Sequence, residues 1–368
     1  MRVLYFTESD SVHDRRFLRA LANTDHQVYA LRQKRCEPQT PAGINELSWP
    51  QGRPDWSCWH GWQAAVAQFR AILEAVKPNV VHAGPLQGPG LIAALSGFHP
   101  VVSMSWGSDL LRHAWRSPWM RWATRTVLEH TDVFLGDCEA VAVQAERFGF
   151  PRDRMVIFPW GVDLALFSPN PEAGNALRAA WGWQDAFVVF CNRTWAPLYG
   201  VDVLADAFRL AAPKDSRLRL CLMGAGPLDH SLHQILTPLA DRVEWVNHVR
   251  QEALPAFYSA ADLFVSPSFS DGTSISLLEA LACGCPVLVS DIPGNREWIV
   301  PGEAGILFPP GDAHALSKGL LTMAESPDLD QMSAAGRAIA VSGADWKQHF
   351  QQLLLAYRMA VANALSQS

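Results

Sequence analysis

Short apolar runs of four to six residues recur along this 368-residue chain, and most are followed by a stretch with helical spacing. Up to residue 158 the runs 3–6, 27–31, 79–82, 100–105, 132–136 and 155–158 read as strands, with helices at 14–22, 62–76 and 140–147. Ser117-Pro118 marks a further helix start, because serine can cap and proline suits the first turn. The pattern restarts with strands at 186–190, 218–223, 243–246, 263–266 and 286–290, and helices at 201–211, 230–240, 254–261, 277–282, 313–323 and 345–364. A short strand without polar alternation is buried on both faces, which calls for a parallel sheet covered by helices on either side.

A chain of this length exceeds one compact core. The expected fold class is therefore α/β, with two doubly wound parallel-sheet domains facing across a cleft. The boundaries fall at 1–168 and 176–344, with 163–175, which holds Pro169, Pro171 and Gly174, as the link. The tail 345–368 reads as a helix that packs back on the first domain. Ligands of such sheets lie beyond the carboxyl ends of the strands.

Composition narrows the partners. The chain carries 36 acidic and 30 basic residues, a net charge of −6. The first 170 residues hold 17 basic and 16 acidic side chains and the remainder 13 and 20, so the halves differ in character. A nucleic-acid partner is not expected. No apolar run approaches the roughly 18 residues of a membrane span. The opening MRVLYFTESD is too short and acidic for a signal peptide. Seven cysteines, Cys36 among them, show no CxxC and a single CxC at Cys283 and Cys285, so reduced thiols and a cytoplasmic location are expected. The fifteen tryptophans are expected mainly in cores and clefts.

Chemistry is concentrated in the stretch 266–284, SPSFSDGTSISLLEALACG. It reads as a strand, a polar loop with Gly272, and a helix that Thr273 or Ser274 could cap. The amides of Ser274, Ile275, Ser276 and Leu277 would then sit at the positive end of the helix dipole, a site for phosphate. Glu279, one turn in, could accept from two vicinal hydroxyls, and Asp271 in the loop could hold another. An ordinary capped helix with surface carboxylates is the plainer alternative.

This stretch, continued as SPSFSDGTSISLLEALACGCPVLVSDIPG, resembles the signature of the family-4 glycosyltransferases of the GT-B fold. The phrases PWGVDLALFSP (159–169), GAGP (224–227), FYSAADLFVSPS (257–268) and PGNREWIVPGEAGILFPPGDAHAL (293–316) keep the family's order. The resemblance implies two Rossmann-like domains, the first for the acceptor and the second for the donor. It implies retaining transfer of a sugar from a nucleotide-diphosphate-sugar to a glycan, lipid-linked or small-molecule acceptor, with no cofactor and no metal. It makes Arg193 and Asp271 the catalytic pair. Arg193, Tyr199, Gly224, Gly226, His248, Val249, Asp271, Gly272, Thr273, Ser274, Ile275, Ser276 and Glu279 become the donor-binding set. The fold also admits a binding protein that has lost transfer, and a sugar-nucleotide epimerase.

Three positions depart from the family pattern. The first signature acid is Asp271 rather than glutamate. The lysine expected shortly after Arg193 is replaced by Tyr199 before Gly200, which offers only a neutral hydrogen bond. A histidine common after a first-domain strand gives way to Trp106.

Weaker signals remain. His13, Arg16, His82, Trp106 and Asp109 follow or end first-domain strands and are acceptor-side candidates, with capping or core packing as the plain alternative. Gly224 and Gly226 lack the third glycine of a dinucleotide fingerprint. Asp328-Leu329-Asp330 matches a metal-binding DxD formally but sits in a polar stretch that reads as surface loop. Arg112, Arg116, Arg121 and Arg125 lie among Trp115, Trp119 and Trp122, and Arg32, Lys34 and Arg35 could extend the patch. Such surfaces dock weakly on the inner face of a membrane, although Pro118 breaks the segment and a basic face on a packed helix competes as an explanation.

Overall fold

The computed structural model describes residues 1–34 and 39–367; Arg35 and Cys36 lie outside them. The chain forms two compact units, one of residues 1–158 together with 350 onward, the other of 159–349.

The first unit holds a seven-stranded sheet: β1 (Arg2–Thr7), β2 (Gln27–Arg32), β3 (Ile44–Leu47), β4 (Val80–Gly84), β5 (Val101–Met104), β6 (Val133–Gly136) and β7 (Met155–Ile157). Their order is β3-β2-β1-β4-β5-β6-β7, and every pairing is parallel. The second unit holds six strands: β8 (Phe187–Cys191), β9 (Leu218–Met223), β10 (Val243–Val246), β11 (Leu263–Ser266), β12 (Val287–Ser290) and β13 (Gly305–Phe308). Their order is β10-β9-β8-β11-β12-β13, again all parallel. Winding reverses between β1 and β4 in one sheet and between β8 and β11 in the other. Loops that leave the carboxyl ends on either side of such a reversal diverge and leave room for a ligand.

Sequence-level packing explains the strands. All residues of β4, β5, β6, β8, β11 and β12 are buried, as a sheet covered on both faces requires. Two strands escape the sequence pattern because they are edges. β3 reads INEL with its two central residues exposed, and β13 begins at Gly305, whose position a Cβ could occupy only 2.1 Å from the Val287 carbonyl oxygen.

The segment read as a link is packed structure. Val162, just before it, pairs with Asp345, and Phe167 within it is fully buried in the core of the second unit. Asn170 then caps the helix Pro171–Trp181 by accepting from the Ala173 amide at 3.1 Å. The division therefore falls before Pro159 rather than in 163–175. The chain re-enters the first unit at Phe350, within the helix Trp346–Gln367.

Other local expectations hold. Ser117 Oγ accepts from the Met120 amide at 3.2 Å with Pro118 in the first turn of Pro118–Glu129. No helix among the described residues is long and apolar enough to cross a membrane. Six cysteines among them are free, five buried.

Candidate functional site

The two loops at the reversal of the second sheet bring the strongest sequence candidates together. Arg193 follows β8, and Asp271 lies in the loop between β11 and the helix Ile275–Ala282. Arg193 Nη2 donates to Asp271 Oδ2 at 2.6 Å, and Nη1 donates to Ser274 Oγ at 3.1 Å and Ser276 Oγ at 2.9 Å. The Arg193 side chain is only 12% exposed, so this pair is shielded far more than a surface ion pair. Burial acts most strongly, against its charge, but Asp271 together with Tyr199, Cys191 and Tyr258 holds the guanidinium above its ordinary pKa. Its Nε is buried and has no hydrogen-bond partner among the described residues.

Ser274 stands at the N-cap of Ile275–Ala282, yet its hydroxyl does not cap the helix. It turns to Arg193 instead, which leaves the amides of the first turn without a side-chain cap. That alters the expected arrangement of Thr273 and Ser274 in a direction that suits an anion: a fixed cation stands beside an uncapped helix start. Gly200 lets the loops close. Its φ is +60°, and a Cβ there would come within 2.3 Å of the Pro267 carbonyl oxygen. This contact seats Tyr199 under Arg193, with the guanidinium carbon 4.5 Å from the ring centroid.

Glu279 is buried on the same helix. The Tyr258 hydroxyl donates to its Oε2 at 2.8 Å and itself accepts from Asn192 Nδ2 at 2.8 Å. Burial, then the Glu279 carboxylate, raises the Tyr258 pKa well above its ordinary value, so the phenol stays a donor. Sequence reading missed this relay, although Asn192 adjoins Arg193 and Tyr258 lies in the FYSAADLFVSPS phrase. We predict that Tyr258→Phe, which keeps the ring, weakens donor binding about fivefold, the equivalent of about 1 kcal/mol for one hydrogen bond. Titration calorimetry checks it; unchanged affinity would mean that Glu279 is oriented without the phenol.

The remaining candidates of this unit lie at neighbouring carboxyl ends. Gly224 follows β9, and its amide donates to the Val246 carbonyl at the end of β10 at 3.0 Å. Gly226 lies so close to Trp195 that a Cβ would fall 2.4 Å from its carbonyl oxygen. Trp195 Nε1 is buried without a hydrogen-bond partner among the described residues and lies 3.2 Å from where a Gly224 Cβ would stand. His248 is exposed after β10, and Val249 packs partly into the core.

In the first unit the rings of His13 and Trp106 lie 5.6 Å apart, with Phe17 6.1 Å from Trp106. Arg16 lies one turn beyond His13 on the same helix, Val12–Ala22. Asp109 is buried and accepts from Ser105 Oγ and from the amides of Leu86, Trp106 and Leu110. Burial raises its pKa against those hydrogen bonds. His82 is fully enclosed: Nδ1 lies 2.7 Å from the Tyr357 hydroxyl and Nε2 3.3 Å from Met104 Sδ. Burial pushes its pKa down to about 3, so the ring is neutral. Every one of those His82 contacts belongs to the core of the unit, whereas His13 and Trp106 are half-buried. Asp328 and Asp330 are exposed at the start of the helix Leu329–Gly343.

Residues 185–326 match the family model described as glycosyl transferases group 1, and residues 2–137 match that described as glycosyl transferase 4-like. The chain belongs to the group 1, family-4-like glycosyltransferases. It is 28% identical over 277 residues to a GDP-mannose-dependent α-(1-6)-phosphatidylinositol monomannoside mannosyltransferase from Mycolicibacterium smegmatis, covering 72% of each chain. It is also 28% identical over 220 residues to O-antigen chain mannosyltransferase B from Escherichia coli, covering 58% of this chain and 56% of that one. Among solved structures, HepE from Anabaena, crystallised with UDP-glucose, matches with a TM-score of 0.79 at 19% identity over the whole of both chains. Sucrose-phosphate synthase from Thermosynechococcus elongatus matches with a TM-score of 0.81 at 20% identity, covering 98% of this chain and 100% of that one. At such identities the two structures bear on fold, and they carry the GT-B architecture.

In this glycosyltransferase two family departures gain a geometry. Tyr199 does not meet the site as a neutral hydrogen-bonding group; it presents its ring face to Arg193. The shorter Asp271 still reaches Arg193 and pairs with it.

Proposed function

We propose that this glycosyltransferase takes a hexose from a nucleotide-diphosphate-sugar held by the second unit and transfers it, with retained configuration and without a metal, to a glycan or lipid-linked acceptor. The observation that carries the reading is Arg193 set against the uncapped start of Ile275–Ala282, with Asp271 and Glu279 beside it. As the anomeric bond breaks, the departing diphosphate gains negative charge, and the acceptor oxygen bonds to the anomeric carbon as its proton passes to the departing diphosphate oxygen. A guanidinium and helix amides already fixed in place stabilise that charge without reorganising. Glu279, oriented by Tyr258, is suited to two vicinal hydroxyls of the donor. The mannosyltransferase relatives, one named for a phosphatidylinositol acceptor and one for an O-antigen chain, support a sugar donor and a glycan or lipid acceptor. Those relatives are transferases, which gives the epimerase and binding-only readings no support. The free, mostly buried cysteines fit a reducing, cytoplasmic setting.

The test is a panel of GDP-, UDP- and ADP-hexoses given to the purified chain with a chelator present. One donor is expected to bind, and its transferred sugar should keep the donor's anomeric configuration by proton coupling. If no nucleotide binds, the reading fails. An inverted product or loss of transfer in chelator removes the corresponding part. Donor isomerisation without acceptor points to an epimerase, and tight binding without transfer to a degenerate member.

A further inference from the structure

The first unit carries a surface that the transfer chemistry does not use. Trp115, Trp119 and Trp122 are 43%, 41% and 41% exposed, and Trp59, at the start of the helix Trp59–Val76, is 51% exposed. These four are among only nine large apolar side chains that stand out to this degree among the described residues. They form one patch: Trp59 lies 6.3 Å from Trp119, and Trp119 lies 4.7 Å from Trp122. The helix Pro118–Glu129 buries Ala123, Thr124, Val127 and Leu128 and turns Trp119 and Trp122 outward.

Charge accompanies the indoles. Arg112, Arg116, Arg121 and Arg125 are exposed, and none forms an ion pair among the described residues. The Arg121 guanidinium lies 5.1 Å from the Trp115 ring centroid. Between residues 107 and 128 the sole acid is Asp109, which is buried and turned to Ser105 and backbone amides. Arg116, Arg121 and Arg125, with Trp115 and Trp122, line an open hollow of about 390 Å³. In a chain of net charge −6, the exposed charges of residues 107–128 are all arginines, with apolar side chains standing among them.

We propose that this face docks on a bilayer that carries anionic phospholipids. The indoles enter the interface between headgroups and chains, where an apolar ring with one polar N–H is at home. The arginines pair with headgroup phosphates, which a planar guanidinium fits well. Pro118 does not oppose this, because the tryptophans come from three separate elements that fold into one patch rather than from a single helix. A nucleic acid is the other polyanion to consider. The edge-to-face packing of Trp59 on Trp119, at 88°, turns rings toward one another rather than leaving parallel faces for bases.

The full chain is to be sedimented with vesicles of phosphatidylcholine alone and with vesicles that also contain phosphatidylglycerol. Binding is expected to the second kind only and to fall as salt rises. Arg116→Gln, Arg121→Gln and Arg125→Gln should each weaken it about fivefold. Trp119→Ser with Trp122→Ser should weaken it further, while Arg121→Lys should keep most of it. Because all these positions are exposed, circular dichroism of the variants should match the parent. Equal binding to both vesicles, none to either, or indifference to these substitutions overturns the proposal. So does tight binding of a single-stranded oligonucleotide that the same variants abolish while vesicle binding stays absent.

Discussion

Arg193→Ala is expected to slow sugar transfer by about two to three orders of magnitude, the equivalent of roughly 2.7–4 kcal/mol, while donor affinity changes much less. The guanidinium is already ordered by Asp271, Ser274 and Ser276, with Tyr199 beneath it, so its charge needs no rearrangement when the leaving diphosphate forms. An interaction that strengthens only as charge develops appears in kcat rather than in binding. The single substitution also strands Asp271, whose side chain is only 21% exposed, so some stability is lost with it. Arg193→Ala combined with Asp271→Asn removes both charges, and its thermal midpoint should recover toward the parent while turnover stays low. Arg193→Lys keeps the charge without the fork and should fall between the two. Steady-state kinetics beside thermal melts decide it. Turnover that recovers along with stability in the double variant would make Arg193 structural only.

Much of this was legible because each level of the sequence agreed with the next. The apolar runs FVVFC and VLV suit a strand covered on both faces of a parallel sheet, and they lie in β8 and β12. Ser117-Pro118 announced its helix with a cap that the structure contains. Arg193, Asp271 and Glu279 were readable as a set because they sit in or near phrases whose order matched a family. What escaped was of two physical kinds. Edge strands β3 and β13 are half-exposed or glycine-led, so their composition resembles loop. The segment 163–175 holds two prolines and a glycine, a composition of linkers, yet Phe167 is a core residue and Leu164 and Leu166 pack against the core.

The other kind is chemistry between residues distant in sequence. Asn192, Tyr258 and Glu279 span 87 positions, and nothing local to any of them announces a hydrogen-bonded line. Ser274 was legible as a helix cap by residue type, but its hydroxyl goes to Arg193, 81 residues away. Tyr199 could be identified as a replacement for a lysine, but its ring orientation follows from Gly200 folding against Pro267. Propensity places a residue on an element; which neighbour it prefers is decided by the sheet order that brings β8 beside β11.

Glu279→Ala is expected to act in the complementary way, raising the donor KM roughly 10- to 150-fold for each charge-assisted hydrogen bond to a donor hydroxyl that is lost, with a smaller effect on kcat. Hydroxyls that do not react make the same bonds before and during transfer, so their loss weakens binding uniformly. The carboxylate is suited to this because it is buried and fixed by the Tyr258 hydroxyl, which spares the side-chain entropy that an exposed glutamate would lose on binding. Removing it leaves the Tyr258 phenol without that acceptor, at a cost of about 1–3 kcal/mol in stability. Glu279→Ala with Tyr258→Phe removes both groups, so its folding stability should exceed that of Glu279→Ala while the KM stays high. Binding of the nucleoside diphosphate alone separates the two ends of the donor. If Glu279 holds the ribose, the bare nucleotide loses affinity as the donor does; if it holds the sugar, only the donor is affected. A raised KM with either pattern keeps Glu279 as the hydroxyl acceptor, and a variant whose kcat falls while both affinities stay at parent values would remove it from that role.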